Sequence, residues 1–152
     1  MSLTIEGLSP DLLERVLMKL GLSCRPAPPL DGLQTLYAAW CRKVPFDNVR
    51  KLIHVHNQDP GPLPGDDAID FFEAGITYGT GGTCWAGNGA LHALLVSLGF
   101  VACRGVGTML VAPHLPPNHG TVLVTCDGTL YVAIPHLTTI QPYEKDAARS
   151  EC

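Results

Sequence analysis

The residues best suited to covalent chemistry lie in one stretch. It reads Gly79-Thr80-Gly81-Gly82-Thr83-Cys84-Trp85 and runs into the apolar segment Ala86 to Leu98. That segment predicts a helix opened by Cys84. A thiol at a helix N-terminus faces the positive end of the macrodipole and several N–H groups without an intrahelical partner. Both favour thiolate over thiol, and the thiolate is the nucleophile. The glycines let the backbone turn sharply and keep bulk away from the sulfur. The plainer alternative is a buried helix cysteine, since free cysteine is among the most buried residue types. The glycines ahead of it favour the nucleophile.

A cysteine nucleophile needs a base, and the chain offers His54, His56, His92, His114, His119 and His136. His92 lies eight residues into the expected helix, about 12 Å along its axis and too far to meet the sulfur. His119 precedes the apolar run Val122-Leu123-Val124, where a strand entrance can project a side chain over a helix end. Position alone leaves the choice of histidine open. His54 and His56 share a face only on a strand, and no third ligand is near, so no metal is expected. Gly79 to Gly82 lacks the following Gly-Lys-Ser/Thr of a phosphate loop. Phe46 and Trp85 either line an aromatic pocket or pack in the core.

Several elements must position these residues. Ser9 and Pro10 start a helix whose Leu12, Leu13, Val16, Leu17 and Leu20 share one face, and Gly21 stops it. Asp31 is expected to cap a second helix carrying Leu33, Leu36, Tyr37 and Trp40, broken at Pro45. The stretch from His54 to Gly65, with its prolines and glycines, reads as a loop. Asp66 or Asp67 caps a short helix through Ile69 and Phe72 that ends at Gly75. The helix begun at Cys84 is closed by Gly99. From Phe100 the pattern changes to runs rich in Val, Leu and Thr. Asp127-Gly128 between Val122-Leu123-Val124 and Leu130-Tyr131-Val132 is a hairpin signal. Helices first and antiparallel strands second imply an α+β fold. The expected division is a helical lobe over 1–99 and a partial β-barrel lobe over 100–152, with a loose polar tail.

Bulk properties exclude whole classes. The 152 residues are 46% hydrophobic and 16% charged, which suits a packed domain rather than a disordered chain. The net charge of −4 without a basic run disfavours nucleic-acid and anionic-membrane partners. No apolar run approaches the roughly 18 residues needed to span a bilayer. The opening residues lack the basic and apolar regions of a signal peptide. The six cysteines are widely spread with no Cys-x-x-Cys pair, so a reduced cytoplasmic setting without a disulfide framework is expected. Cys24, Cys41, Cys103 and Cys126 are expected to pack, and Cys152 to be exposed. The strands from Phe100 to Ile134 are too few to close a barrel. Their open edge leads us to expect a homo-oligomer.

Three stretches, taken in order, resemble the arylamine N-acetyltransferases. Val44-Pro45-Phe46-Asp47-Asn48-Val49 is similar to that family's IPFEN(L) segment. Gly81-Gly82-Thr83-Cys84-Trp85, through Asn88-Gly89 to Leu98-Gly99-Phe100, is similar to the segment that holds its nucleophilic cysteine. Asn118-His119, followed by Val122-Leu123-Val124 and by Gly128 and Tyr131-Val132, is similar to the segment that holds its catalytic histidine. The resemblance covers residues 10–135 and implies a cysteine-protease-like core. It also implies Cys84 as acetyl acceptor, His119 as its base, acetyl-CoA as co-substrate, and an arylamine, hydrazine or similar small-molecule amine as acceptor. Phe46, Trp85 and Gly82 are the expected substrate-binding positions. The chain departs from the family at Thr80, where an arginine is expected, and at Gly87, where an acidic residue is expected. It departs again at Ile134, where the resemblance implies the aspartate of a triad. Gly-x-Cys-Trp also suits a transglutaminase-like thiol enzyme, and the loss of that aspartate suits a non-catalytic module that keeps the fold.

Overall fold

In a computed structural model, residues 7–109, 111–133 and 140–143 are described. Among the described residues five helices precede a four-stranded antiparallel sheet, the expected α+β order.

Helix α1 (Pro10–Leu20) forms as its sequence dictates. The Ser9 hydroxyl accepts a hydrogen bond from the Leu12 N–H, the five apolar residues are buried, and Gly21 ends the helix at φ 76°. Helix α2 (Leu30–Lys43) starts one residue ahead of Asp31, after Pro29, so Asp31 does not cap it. The carboxylate sits in the first turn instead, where it faces the positive end of the helix. Val44 is extended, as a residue before proline prefers.

Helix α3 (Val49–Asn57) corrects the loop expected from His54 onward. Val49, Leu52, Ile53 and His56 recur at helical spacing, and Gln58 ends the helix at φ 56°. None of its residues is buried, and Leu52 and Ile53 are 60% and 53% exposed. Because the segment is a helix, His54 and His56 point to different sides. The shared strand face that a metal pair needs is not there.

Helix α4 (Ala68–Tyr78) is capped by Asp67, whose carboxylate accepts from the Asp70 N–H at 2.9 Å. It passes through Gly75, the expected stop, and ends at Gly79 with φ 71°. Gly75 serves close approach rather than termination, since a Cβ there would lie 3.2 Å from the Thr80 carbonyl oxygen.

Helix α5 (Cys84–Ser97) is buried nearly all round, from Ala86 to Leu95 with only Gly89 partly open. It packs on strands β1 (Val101–Gly107) and β2 (His119–Cys126) and against α4. The turn between β2 and β3 (Thr129–Ala133) places Asp127 at φ 50° and Gly128 at φ 76°. Two positive φ values are what a twisted two-residue hairpin requires. Strand β4 (Gln141–Pro142) completes the order β1-β2-β3-β4, an open sheet rather than a closed barrel.

The core includes Leu33, Leu36, Leu91, Leu94, Leu95, Val122 and Val124, with Trp40 stacked on Phe71 at 6.0 Å and edge-on to Phe72. Each such aliphatic side chain contributes about 1.5–3 kcal/mol on burial. The first residue of α5 is therefore anchored by one of the best-packed elements of the fold. Cys103 on β1 is disulfide-bonded, which corrects the expectation of a packed free thiol. It is half-buried. Among the described residues no helix is long and apolar enough to cross a membrane.

Candidate active site

Cys84 is the first residue of α5 and is half-buried. The loop before it is held from one side by the segment that follows α2. The Gly81 N–H donates to Asp47 Oδ2 at 2.7 Å, the Gly82 N–H faces the Pro45 carbonyl at 3.4 Å, and Phe46 bridges Gly82 in parallel. The second oxygen of Asp47 accepts from the Val49 N–H at 3.2 Å, so one carboxylate joins the start of α3 to the loop. This contact explains the double glycine better than turn geometry does. A Cβ on Gly81 would fall 1.7 Å from the Pro45 carbonyl oxygen, and one on Gly82 would fall 2.9 Å from the Phe71 ring. Neither distance leaves room for a side chain.

Thr83 occupies the N-cap position, yet its side chain caps nothing. Its hydroxyl accepts from Lys51 Nζ at 2.5 Å, which brings an ammonium group from α3 to the start of α5. The backbone N–H groups of the first turn keep their intrinsic lack of intrahelical partners. A developing negative charge near Cys84 would meet those groups and the end of the dipole.

His119 opens β2, half-buried, opposite Gly107 on β1. The next residue approaches the first turn of α5. A Cβ on Gly120 would lie 3.2 Å from the Trp85 ring and 3.6 Å from the Cys84 carbonyl oxygen. Asn88, 2% exposed, ties the two elements together. Its amide nitrogen donates to the Cys84 carbonyl at 2.7 Å and to the Gly120 carbonyl at 2.6 Å. The structure thus brings the Cys84 backbone and the residue after His119 onto one side chain. Asn88 Oδ1 is buried without a hydrogen-bond partner among the described residues.

The other candidate residues separate. The buried His92 ring donates through Nε2 to the Ala102 carbonyl at 3.2 Å. Burial first, and then the charge of Arg104, holds its imidazole below the usual range. His54 and His56 lie on α3, His114 is exposed, and His136 and Ile134 lie outside the described residues. Phe46 and Trp85 are 57% and 43% exposed and flank the loop and the first turn of α5. Neither lines the small cleft of about 30 Å³ between Val44, Phe71, Phe72, Ile76 and Thr80. Thr80, standing where the resemblance expects arginine, has a buried hydroxyl with no partner among the described residues.

Burial pushes the thiols of Cys41 and Cys126 up, away from the nucleophilic form; at Cys126 the charge of Asp127 adds to this. Among the described residues no cluster of His, Cys, Asp and Glu could hold a metal ion. Sequence reasoning gives no role to Asp47, Lys51 or Asn88. Asp47 and Asn88 lie within the family-like stretches, which is a usable signal, whereas nothing local marks Lys51.

A family model described as N-acetyltransferase matches residues 29–148. The arylamine N-acetyltransferase of Mycolicibacterium smegmatis is 33% identical over 117 residues, covering 74% of this chain and 40% of that protein. The arylamine N-acetyltransferase structure from Salmonella typhimurium superposes with a TM-score of 0.75 at 21% identity, over 95% of this chain and 53% of that one. The Bacillus cereus arylamine N-acetyltransferase, reported to have a Cys-His-Glu catalytic triad, superposes with a TM-score of 0.66 at 18% identity, over 84% and 49%. The chain thus spans about half the length of the proteins it matches or less.

Proposed function

We propose that this chain, which belongs to the arylamine N-acetyltransferase family, transfers an acetyl group from acetyl-CoA to a small-molecule amine through Cys84. Cys84 Sγ attacks the thioester carbonyl while His119 takes the thiol proton, and the coenzyme A thiol leaves with that proton. The acetyl-cysteine so formed is attacked by an arylamine or hydrazine nitrogen. His119 takes the amine proton and returns it to Cys84 as the amide departs. First-turn N–H groups of α5 stabilise the oxyanion in both halves. Gly82, Phe46 and Trp85 flank the nucleophile, and we assign them to the acceptor's side.

The observation that carries this reading is the shared amide of Asn88, which joins the carbonyl of Cys84 to that of the residue after His119. We also read the chain as two lobes, 1–99 and 100–152, meeting at this contact. We expect self-association through β1, an edge strand with Val101 70% exposed.

Ile134 stands where the family resemblance puts the third triad member. An apolar side chain neither orients an imidazole nor stabilises its cation. In a serine protease loss of that member costs about four orders of magnitude. The expected outcome is therefore slow transfer, with acylation easier to observe than turnover. The test is mass spectrometry after mixing with acetyl-CoA. One acetyl group mapped to Cys84 supports the reading. A protein left unmodified, or acetylated only elsewhere, overturns it in favour of the non-catalytic module that Ile134 suggests.

A further inference from the structure

We infer that Asn88 is a positioning residue: its amide fixes the separation of the nucleophile from the base. The inference rests on the reading of Cys84 and His119 given above. One nitrogen carries two hydrogens, and each goes to a backbone carbonyl. The first belongs to Cys84, the second to Gly120, 32 residues further along the chain than Asn88. One of these residues bears the sulfur and the other is bonded to His119.

Leu91 and Leu95 of α5 and Val122 and Val124 of β2 belong to the same buried apolar core. Apolar packing is non-directional and tolerates sliding of a helix over a strand. Two short directional bonds do not. The amide's orientation follows from its neighbours, since turning it over would aim Oδ1 at two carbonyl oxygens. Gly120 permits the close approach, because a Cβ there would crowd the Trp85 ring at 3.2 Å.

The stranded acceptor points the same way independently. Asn88 Oδ1 is buried with no partner among the described residues. A side chain present only to fill space would be better as an apolar one of similar volume. What the described residues supply to this amide is two acceptors for its donors. Both donors bear on the catalytic pair, although Asn88 itself touches neither the sulfur nor an acyl group in this arrangement.

The test is a mutant cycle read by iodoacetamide labelling of Cys84, which requires no acyl donor. Asn88→Ala is expected to slow labelling by about tenfold where His119 is present, and by less than about twofold in the His119→Ala background. With acetyl-CoA, the maximal acylation rate falls while the half-saturating concentration stays put. Equal losses in both backgrounds, or no loss, overturn the positioning role. If His119→Ala alone labels at the wild-type rate, the pairing of Cys84 with His119 fails, and the role of Asn88 falls with it by a separate and recognisable result. Hydrogen exchange of the Asn88 side-chain amide in wild-type protein keeps the matter decidable should Asn88→Ala not fold. Slow exchange is expected, and exchange at the rate of a free amide overturns the clamp.

Discussion

Helices α1 and α5 begin in opposite ways. At α1 the N-cap hydroxyl of Ser9 turns inward and accepts the Leu12 N–H, and Pro10 needs no hydrogen-bond acceptor at the first position. The start of α1 is closed upon itself. At α5 the N-cap hydroxyl of Thr83 turns outward to Lys51, and the residue that follows is a thiol. The start of α5 is held by distant segments: Pro45 and Asp47 on the loop, Lys51 on the cap, and Gly120, reached through the helix's own Asn88, at the first turn. A closed helix start contributes stability. An open one, braced from outside, leaves its N–H groups available to a ligand or a developing charge.

Substitutions at the two starts can break this contrast. The largest effect is at Cys84: Cys84→Ala abolishes acetylation by mass spectrometry while thermal unfolding shifts little. Gly81→Ala comes next. Its Cβ meets the Pro45 carbonyl, so the brace must move, with an expected loss of about 1–3 kcal/mol in denaturant unfolding and slower labelling of Cys84. Ser9→Ala costs about 1 kcal/mol and leaves Cys84 labelling unchanged; an effect on labelling would erase the distinction between the two helices. Thr83→Val changes stability by less than about 0.5 kcal/mol, because the hydroxyl caps nothing, yet alters labelling at the neighbouring thiol.

Further along α5, His92 gives the protein a pH dependence unrelated to its proposed chemistry. Burial lowers the folded-state value of this imidazole below the ordinary value near 6.5. Just below that pH the unfolded chain binds more protons than the folded one. Stability therefore rises with pH through the window and is lost as the pH falls through it. Urea titrations of His92→Gln should show a flatter dependence there than wild type.

Much of this contrast is legible in the sequence. Ser9-Pro10, the leucine face of α1, the Asp127-Gly128 turn and the helix start at Cys84 are local signals, and each produces the element it announces. Helix α3 is not legible in the same way, although Val49, Leu52, Ile53 and His56 repeat at helical spacing. The prolines and glycines after it point to a loop, and a helix with no buried residue lacks the burial that periodicity announces. Gly75 misleads for the opposite reason, being a contact surface rather than a stop. The braces on α5 join residues 32 to 34 positions apart, and spacing along a chain does not encode such pairings. The helix start at Cys84 and the strand entrance at His119 are local signals, but the choice of His119 among the histidines rests on the family resemblance; Lys51 carries no signal of either kind.

Helix α3 has a further consequence, for the order in which the protein comes apart. It is fastened by polar bonds: Arg50 forks onto Asp70 of α4 at 3.0 and 2.8 Å, Lys51 reaches Thr83, and Asp47 holds the Val49 N–H. Polar fastenings answer to solution conditions in a way that buried leucines do not. The Arg50 fork, with help from the Gly65 N–H, holds the Asp70 carboxyl below the usual carboxylate range. Its contribution is thus present above about pH 4 and disappears as acid titrates the folded carboxylate, while salt screens the exposed pair. Helix α3 is accordingly the segment to exchange its amide hydrogens first, in an opening that leaves the core intact. That opening withdraws the ammonium group from the Thr83 hydroxyl, so strong acid or high salt is expected to loosen the start of α5 before it unfolds the domain.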